Sequence, residues 1–165
     1  MPRPRVILLV GLPGSGKSTY AARHGLPVLS SDSIRGLLLD DVTDQSINRR
    51  IFAELRRLLR LRLELRRPVT CIDATNLTSA ERRPYIRIAQ MYGADAEAVF
   101  FDVPAAVCKR RNSGRSRVVP EDVLDRMAAR LHRPALEEGF TRVTDANSAP
   151  ATDAAPEATP GPEPA

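Results

Sequence analysis

Residues 5–19 read RVILLVGLPGSGKST, and the rest of the chain is best understood from this stretch. Its first part, Val6 to Val10, is a run of apolar residues typical of a strand buried on both faces of a parallel sheet. The run stops at Gly11, and from there to Ser18 the spacing is G-x-x-x-x-G-K-S. Glycines, a lysine and a serine at this spacing, between a strand and a helix, predict a phosphate-binding loop.

The residue types of this loop suit a nucleoside triphosphate. Its glycines allow backbone conformations in which successive N–H groups turn toward one anion, and the following helix adds its positive N-terminal end. Lys17 is predicted to reach the β and γ phosphates, and Ser18 to offer its hydroxyl to Mg²⁺. The loop residues predicted to contact ATP or another nucleoside triphosphate are Gly11, Leu12, Pro13, Gly14, Ser15, Gly16, Lys17, Ser18 and Thr19.

The composition is that of a basic protein with a single core. The chain has 165 residues, which suits one domain, and a formal net charge of +5. After Val143 it holds four acidic residues and no basic one, so the excess of positive charge lies in the preceding part. Such a charge favours a polyanionic partner beyond the nucleotide, although an arginine-rich surface that faces only solvent gives the same composition.

Neither membrane insertion nor export is expected from the sequence. No apolar run approaches the ~18 residues that a membrane-spanning helix needs, and the apolar run behind the basic N-terminus ends in the phosphate loop. Cys71 and Cys108 show no spacing typical of a disulfide or a metal site. These features predict a cytoplasmic protein whose cysteines are reduced.

Strands and helices alternate along residues 1–146, which predicts one α/β domain. The predicted strands are Val6–Val10, Leu26–Ser30, Val69–Asp73, Ala96–Asp102 and Phe140–Val143. The predicted helices cover about 17–24, 31–40, 45–67, 78–93, 104–111 and the residues after Pro120. This order indicates a central parallel sheet of about five strands with helices on both faces. Residues 147–165 are rich in Pro and Ala and are predicted to form a disordered tail.

Two of the predicted helices carry apolar stripes that indicate their buried faces. In the long helix the stripe is Ile47, Ile51, Leu55, either Leu58 or Leu59, and Leu63. In the helix after Pro120 it is Val123, Met127 and Leu131. The other faces of the long helix hold eight arginines, most of which are predicted to face solvent; Arg49, Arg50 and Arg56 are among them.

Polar residues follow the strands at the edge where ligands of parallel sheets bind. Asp32 and Arg35 come directly after the second strand and lie one helical turn apart, so both can face one site. Phosphoryl transfer needs a carboxylate that orients a hydroxyl and accepts its proton, with a cation nearby. Asp73 ends the third strand, where an acid commonly supports the hydrated Mg²⁺ opposite the loop serine.

Structural roles remain open for several of these residues. Asp32 could be the N-cap of the helix that follows it, and Thr75 and Asn76 could form a plain turn after Asp73. Residues 111–117, RNSGRSR, are predicted to form a lid that brings an arginine to the transferred phosphoryl group and excludes water. A solvated basic loop is the alternative for that segment.

Taken together, these motifs resemble the polynucleotide 5′-hydroxyl kinase family, which includes a bacteriophage RNA-repair kinase and the kinase domains of bacterial repair enzymes. The matching stretches lie between Val6 and Val143, and they are GLPGSGKST, SDSIR, DATNLTSAERR, FDVPAAVCKRRNS, VVPEDVLDRM and EGF. The resemblance implies a P-loop kinase fold with a short arginine lid. It also implies transfer of the γ-phosphate of a nucleoside triphosphate to a 5′-OH end of DNA or RNA.

The same resemblance implies roles for single residues. Asp32 matches the general base, and Arg35 matches the residue that steadies this base and holds the first internal phosphate of the acceptor. Lys17 matches a residue that serves the donor phosphates. Thr75 and Asn76 match positions near the acceptor strand.

The sequence leaves open which arginine of the lid acts and which molecule accepts the phosphate. The lid is one residue shorter than in the phage kinase, so either Arg115 or Arg117 is its functional arginine and contacts ATP. A small-molecule kinase acting on a sugar, a nucleoside or another metabolite is an alternative function on the same fold. A nucleotide-binding switch without catalytic activity is a second alternative. The residues favour no particular oligomeric state.

Overall fold

The computed structural model describes residues 1–115 and 118–147 of the chain. Its strands are β1 (Arg5–Val10), β2 (Val28–Ser30), β3 (Val69–Asp73), β4 (Asp95–Phe100) and β5 (Arg142–Asp145). Its helices are α1 (Lys17–Arg23), α2 (Ser31–Leu39), α3 (Asn48–Glu64), α4 (Ser79–Met91), α5 (Ala105–Asn112) and α6 (Glu121–Arg130), with a 3₁₀ turn at Leu136–Glu138. The predicted tail, 147–165, lies outside the described residues except for Asn147, so the division into domain and tail remains a prediction.

The five strands form one sheet in which every neighbouring pair is parallel, in the order β2-β3-β1-β4-β5. β1 lies at the centre, where Leu9 is paired with Asp73 of β3 and Val10 with Phe100 of β4. Because the strands are parallel, the residues that follow them lie along one edge of the sheet. The predicted five-stranded α/β fold is confirmed, and the loop after β1 lies beside the residues that follow β2 and β3.

The side chains of β1 fill two apolar cores, one on each face of the sheet. Val6, Leu8 and Val10 are fully buried together with residues of α3 and α4. Ile7 and Leu9 belong to the other core, which includes a residue of α1. Successive side chains of a strand point to opposite faces, so a strand covered on both sides needs an unbroken apolar run. Helices therefore cover both faces of the sheet, as the run in β1 predicts.

The long helix α3 buries most of the predicted stripe. Its buried residues are Ile51, Leu55, Leu59 and Leu63. The choice left open in the sequence falls on Leu59, because Leu58 is only half-buried. The helix is shorter than predicted: Ile47 is its N-cap, and Arg66 has a left-handed backbone (φ 54°) beyond its C-terminal end. None of the helices in the described residues is long and apolar enough to span a membrane.

Strands β2 and β4 are also shorter than predicted. β2 begins at Val28, because the preceding residue is Pro27, whose ring nitrogen has no hydrogen to donate to the sheet. β4 ends at Phe100, two residues early, since the Val103 N–H donates to the carbonyl of Phe101 at 3.0 Å and turns the chain. The polar residues at these strand ends are therefore in turns and helix starts rather than in the sheet itself.

Strand β5 begins at Arg142, two residues later than predicted. Gly139 has a φ of 112° and ends the 3₁₀ turn, and Phe140 then enters the core as a buried anchor. Sheet bonding begins with Thr141, whose N–H donates to the carbonyl of Ala96 at 2.8 Å. The apolar residue that suggested a strand therefore serves to dock the segment before pairing starts.

The buried face of α6 differs from the prediction by one position. Leu124 is fully buried and Val123 is only half-buried. Met127 and Leu131 pack beside Leu124, as the stripe predicts. Both Val123 and Leu124 fit the helical period with Met127 and Leu131, so contacts with α5 and the loop after β1 decide between them.

The loop after β1 is packed directly on the backbone of α5. Gly14 has a φ of 83°, and a Cβ atom at this position would lie 2.7 Å from the carbonyl oxygen of Cys108. Under the loop, Leu12 and Cys108 are buried in a small apolar cluster with Leu124 of α6. No side chain separates the loop from α5, so the position of one fixes the position of the other.

Gly14→Ala is expected to destabilise the protein by clearly more than Gly25→Ala. Gly25 also has a positive φ, 59°, but a Cβ there would meet no atom within 4 Å. Alanine in a left-handed conformation costs roughly 1–2 kcal/mol, and at Gly14 overlap with backbone atoms adds to this cost. Denaturant unfolding of the two variants measures the difference. Equal losses would contradict the close packing of the loop on α5.

Candidate functional site

The carboxyl ends of β1, β2 and β3 open into a cavity of about 720 Å³, which we call the loop cavity. The predicted site residues that line it are Pro13, Gly14, Ser15, Gly16, Lys17, Ser18, Thr19, Asp32, Asp73, Thr75 and Arg115. Gly11 and Leu12, the first two residues of the loop, are buried. They can therefore contribute only backbone atoms to the site. The structure thus brings together residues that are widely separated in the sequence.

The ammonium group of Lys17 is bonded within its own loop. Nζ donates to the carbonyl oxygens of Gly11 at 2.9 Å and Leu12 at 2.8 Å. Burial lowers the pKa of Lys17 from 10.5 to about 8; the carboxylate of Asp73 opposes this shift and the guanidinium of Arg115 adds to it. Neutral carbonyls compensate a buried positive charge less well than an anion does. The loop therefore favours the binding of phosphate.

Ser18 and Asp73 present two oxygen atoms side by side at the sheet edge. The hydroxyl of Ser18 donates to Oδ2 of Asp73 at 2.8 Å, and Asp73 is held in register by its pairing with Leu9 of β1. Mg²⁺ in nucleotide sites uses one or two protein oxygens and completes its octahedron with phosphates and water. This donor set fits the predicted ion.

Asp32 and Arg35 form an ion pair on the first turns of α2. Nη1 of Arg35 donates to Oδ1 of Asp32 at 2.7 Å, and Nη2 donates to Oδ1 of Asn48 at 2.8 Å. Arg35 is only 3% exposed, while the Asp32 side chain is 35% exposed. Ser30 is the N-cap, since its hydroxyl accepts from the Ser33 N–H at 3.2 Å. The N-cap role left open for Asp32 is thus excluded, and its carboxylate faces the loop cavity.

The lid segment brings two arginines to the loop cavity, Arg111 and Arg115. Nη1 of Arg115 is buried and has no hydrogen-bond partner in the described residues. Asn112 is part of α5 and not of the flexible segment that the sequence predicts: its side chain donates to the Val119 carbonyl at 2.6 Å and accepts from the Val119 N–H at 3.0 Å. These two bonds close the base of the lid. Arg117, the other predicted lid arginine, lies outside the described residues.

Thr75 and Asn76 differ in their surroundings. Asn76 is 4% exposed and has a φ of 50°, and its Nδ2 donates to the carbonyl oxygens of Leu9 at 2.7 Å and Ala74 at 3.2 Å. Its amide group thus fixes the turn after β3 to the end of β1. Thr75 lines the loop cavity. Contact of either residue with an acceptor stays a prediction.

A second cavity of about 1110 Å³ adjoins the first, and we call it the arginine groove. Both cavities are lined by Pro13 and Thr75. Arg35 lines the groove, whereas its partner Asp32 lines the loop cavity. The ion pair therefore stands at the junction of two spaces, one large enough for a nucleotide and one available to a second reactant.

A family model described as an AAA domain matches residues 6–134. The chain belongs to this family. Among solved structures, a chain of the Pnkp1/Rnl/Hen1 RNA repair complex is similar, with 20% identity and a TM-score of 0.68 over 79% of this chain and 45% of that one. A sugar kinase from a Janibacter species has 23% identity and a TM-score of 0.60 over 90% of this chain and 88% of that one. An APS kinase from Mycobacterium tuberculosis has 22% identity and a TM-score of 0.54, over 93% and 92%.

These similarities confirm the predicted P-loop kinase fold for this AAA domain family member. The chain spans less than half the length of the RNA repair protein that it matches, 45%, but most of the two other kinases, 88% and 92%. At such identities the likeness concerns the fold. The three proteins have different names, an RNA repair complex, a sugar kinase and an APS kinase, so the shared fold does not specify one acceptor.

The far side of the loop cavity holds residues that sequence reasoning missed. The rings of Tyr20 and His24 stack with centroids 3.9 Å apart, and both line the cavity together with Ala146 and Asn147. They share the cavity with the phosphate loop, and we expect the base and ribose of a bound nucleotide to extend toward them. The i, i+4 spacing of Tyr20 on α1 and His24 at its C-cap was the available signal. The sequence alone did not indicate that the residues after β5 return to this cavity.

Arg82 of α4 is a second residue that the sequence did not single out. It is fully buried and forms two bonds with the carboxylate of Glu138, at 2.8 and 3.0 Å. Its Nη1 also donates to the carbonyls of Asn76 at 2.8 Å, Leu77 at 3.1 Å and His132 at 3.1 Å. Arg82 thus joins the turn after β3, which borders both cavities, to the segment before β5. A polar residue inside an ordinary helix gives no sequence signal for such a role.

Triphosphate binding is expected to take up a proton at alkaline pH. Above about pH 8 the free protein holds Lys17 largely neutral, while a bound triphosphate favours the ammonium form and raises its pKa. Affinity should therefore fall as the pH rises through about 8, and below this pH Lys17 should add no proton uptake. Calorimetry at about pH 8.5 in two buffers of different ionisation enthalpy measures the uptake. Lys17→Arg, which stays charged, is the control, and an equal uptake by this variant would contradict the assignment.

Arg82→Met is expected to lower the free energy of unfolding by about 3–5 kcal/mol, because it leaves a largely buried carboxylate and several carbonyls without their donor. Arg83→Met changes the same charge at an exposed position of the same helix, and should change stability by less than about 0.5 kcal/mol. Denaturant unfolding, with one m-value fitted for both variants, compares their free energies of unfolding. Similar stabilities of the two variants would disprove the structural role of Arg82.

Proposed function

We propose that the protein is an ATP-dependent kinase that transfers the γ-phosphate to a 5′-hydroxyl end of DNA or RNA. The observation that carries this proposal is the position of the Asp32–Arg35 pair. The carboxylate lines the loop cavity, the arginine lines the arginine groove, and a bond of 2.7 Å joins them. A pair at this junction can hold an acceptor hydroxyl against the end of a bound triphosphate.

On the donor side, the loop N–H groups and two cations bind and orient the phosphates. Lys17 exchanges its bonds with loop carbonyls for bonds with phosphate oxygens. Nη1 of Arg115 is buried and has no hydrogen-bond acceptor among the described residues. In the reaction Arg115 neutralises charge on the transferred group. Ser18 and Asp73 would hold the Mg²⁺ of the nucleotide, which when bound neutralises charge on the β and γ phosphate oxygens.

The transfer step balances around Asp32. The acceptor hydroxyl oxygen forms a bond to the γ-phosphorus while the bond from this phosphorus to the bridging oxygen breaks, and ADP leaves with the electron pair. The hydroxyl proton passes to the Asp32 carboxylate. Arg35 holds the carboxylate in place, and Asn48 in turn accepts from Arg35 at 2.8 Å. Because these groups are already bonded to each other, little reorganisation accompanies the reaction.

A kinase for a small metabolite is the second candidate. The observation that favours it is the fold shared with a sugar kinase and an APS kinase. A polynucleotide acceptor is preferred because the groove is lined by four arginines in addition to Arg35, which a neutral sugar does not require. Similarity to a chain of an RNA repair complex supports the same choice. A nucleotide-binding switch has no use for a carboxylate held at the end of the phosphate site.

Asp32→Asn is expected to lower kcat for a 5′-OH oligonucleotide by about 10²- to 10⁴-fold, since the amide cannot accept the hydroxyl proton. ATP binding should be unchanged, because the proposed partner of Asp32 is the acceptor hydroxyl and not the donor phosphates. Asp40→Asn at the end of the same helix is the matched control. Asp40 has a φ of 54°, which asparagine tolerates, so this variant should be fully active. Near-normal turnover by Asp32→Asn would contradict the mechanism.

The acceptor class is tested by incubating the protein with γ-labelled ATP, Mg²⁺ and either a 5′-OH oligonucleotide or a panel of sugars and nucleosides. Label that is incorporated into the oligonucleotide and that a 5′-phosphatase removes as inorganic phosphate supports the proposal. Label on a metabolite alone, with none on the oligonucleotide, would establish the metabolite kinase instead.

A further inference from the structure

The arginine groove lies between the N-terminal half of α3 and the first turns of α4. Its basic residues are Arg35, Arg49, Arg50, Arg56 and Arg130. Among the described residues, the only carboxylate that lines it is Glu81. That carboxylate is already engaged, because it accepts from Arg130 at 2.7 Å and from the Leu77 N–H at 2.9 Å. The groove is therefore positive and suits an anion.

One face of α3 supplies a regular row of groove residues. Arg49, Phe52 and Arg56 follow the i, i+3, i+7 spacing of one helix face, while Ile51 and Leu55 point into the core. Neither Arg49 nor Arg56 forms an ion pair within the part of the chain that the structure describes. The sequence predicted these arginines mainly as a solvated face, but the helix turns them toward the cavity next to the reacting groups.

Phe52 is the unusual member of this row. It is half-buried and lines the groove, yet it belongs to none of the three apolar clusters that the described residues form. An aromatic ring that is not used for the core, placed between two arginines, is the arrangement by which proteins bind single-stranded nucleic acid. The ring stacks on a base and the cations contact the adjacent phosphates.

We infer that the arginine groove binds a single-stranded polynucleotide downstream of its 5′-hydroxyl, with Phe52 stacking on a base and Arg49 and Arg56 contacting phosphates. This inference rests on the proposed function and names the form of its acceptor. Arg35 is at the junction with the loop cavity and serves the first internal phosphate, so the α3 residues act on later nucleotides. The KM of an acceptor should therefore fall with its length over the first few nucleotides.

Phe52→Ala tests the stacking contact. It should raise the KM of a 5′-OH tetranucleotide by about tenfold and leave both kcat and the KM of a nucleoside 3′-monophosphate unchanged. Phe52→Tyr, which keeps the ring, should restore the wild-type KM. Phe52→Leu keeps apolar volume without an aromatic face and should behave like Phe52→Ala. Normal affinity in Phe52→Leu would overturn the stacking role, and thermal unfolding of each variant checks that the fold is retained.

The double variant Arg49→Ala/Arg56→Ala tests the phosphate contacts. Single-strand binding by this variant should depend less steeply on salt than binding by the wild type. The slope of log K against log salt should be smaller by about 1.4. Arg57→Ala is the matched control on the same helix: Arg57 pairs with Glu54 and does not line the groove. An equal reduction of this slope in Arg57→Ala would show that the strand is attracted by the general charge of the protein, and it would overturn the proposed site.

Binding is measured without turnover, by the anisotropy of 3′-labelled oligonucleotides with free 5′-hydroxyls. Failure to phosphorylate any 5′-hydroxyl acceptor would contradict the proposed function, while groove-dependent binding would still support the inference. Transfer to oligonucleotides with a KM that is independent of length and of Phe52 would overturn the inference and leave the proposed function standing.

Discussion

The structure depends on how it compensates buried positive charge. A cation removed from water needs oxygen atoms that replace its hydration. Among the described residues, the buried cations differ in how many such acceptors they have. Arg82 is fully compensated by the Glu138 carboxylate and three carbonyls. Lys17 has only two carbonyls of its own loop, and burial lowers its pKa to about 8. The degree of compensation separates cations that hold the fold from cations that bind a ligand.

Arg35 and Arg115 are compensated to different degrees within one site. Arg35 is 3% exposed and bonded to Asp32 and Asn48, so it positions a carboxylate. Arg115 brings a buried Nη1 with no acceptor among the described residues to the same cavity as Lys17. Two incompletely compensated cations over a loop of N–H groups form a site that an anion of high charge completes. Electrostatics thus prepares the loop cavity for a highly charged anion.

The parts of this site that the sequence predicted are those encoded by local patterns. The buried strand and the glycine spacing specify the loop, and the Leu9–Asp73 pairing of β1 and β3 then brings Asp73 to Ser18. Such features follow from short-range spacing and from the parallel order of strands. The ion pair of Asp32 with Arg35 was predictable for the same reason, because i, i+3 residues share a helix face.

The remaining features depend on contacts between distant segments, which spacing does not encode. Asn112 was predicted within a flexible lid, but it ends α5 and bonds twice to Val119. Arg82 depends on a segment more than fifty residues away in the chain. No sequence pattern marks Phe52, and its position on the groove follows from how α3 is rotated on the sheet. Tertiary packing decides in each case which face of a helix is used.

In the proposed function the loop binds the donor and the helices bind the acceptor. This separation allows one fold to serve different acceptors. The proposed donor site is built from the backbone after β1 and from side chains whose positions the sheet order fixes. The proposed acceptor site is built from side chains on α3 and α4, such as Arg49 and Phe52, which can change without disturbing the sheet. Kinases for a sugar and for APS share the fold with this chain. Asp32 and Arg35 stand where the two cavities meet. In the proposed function, this pair keeps the chemistry constant while the groove beyond it selects the molecule that receives the phosphate.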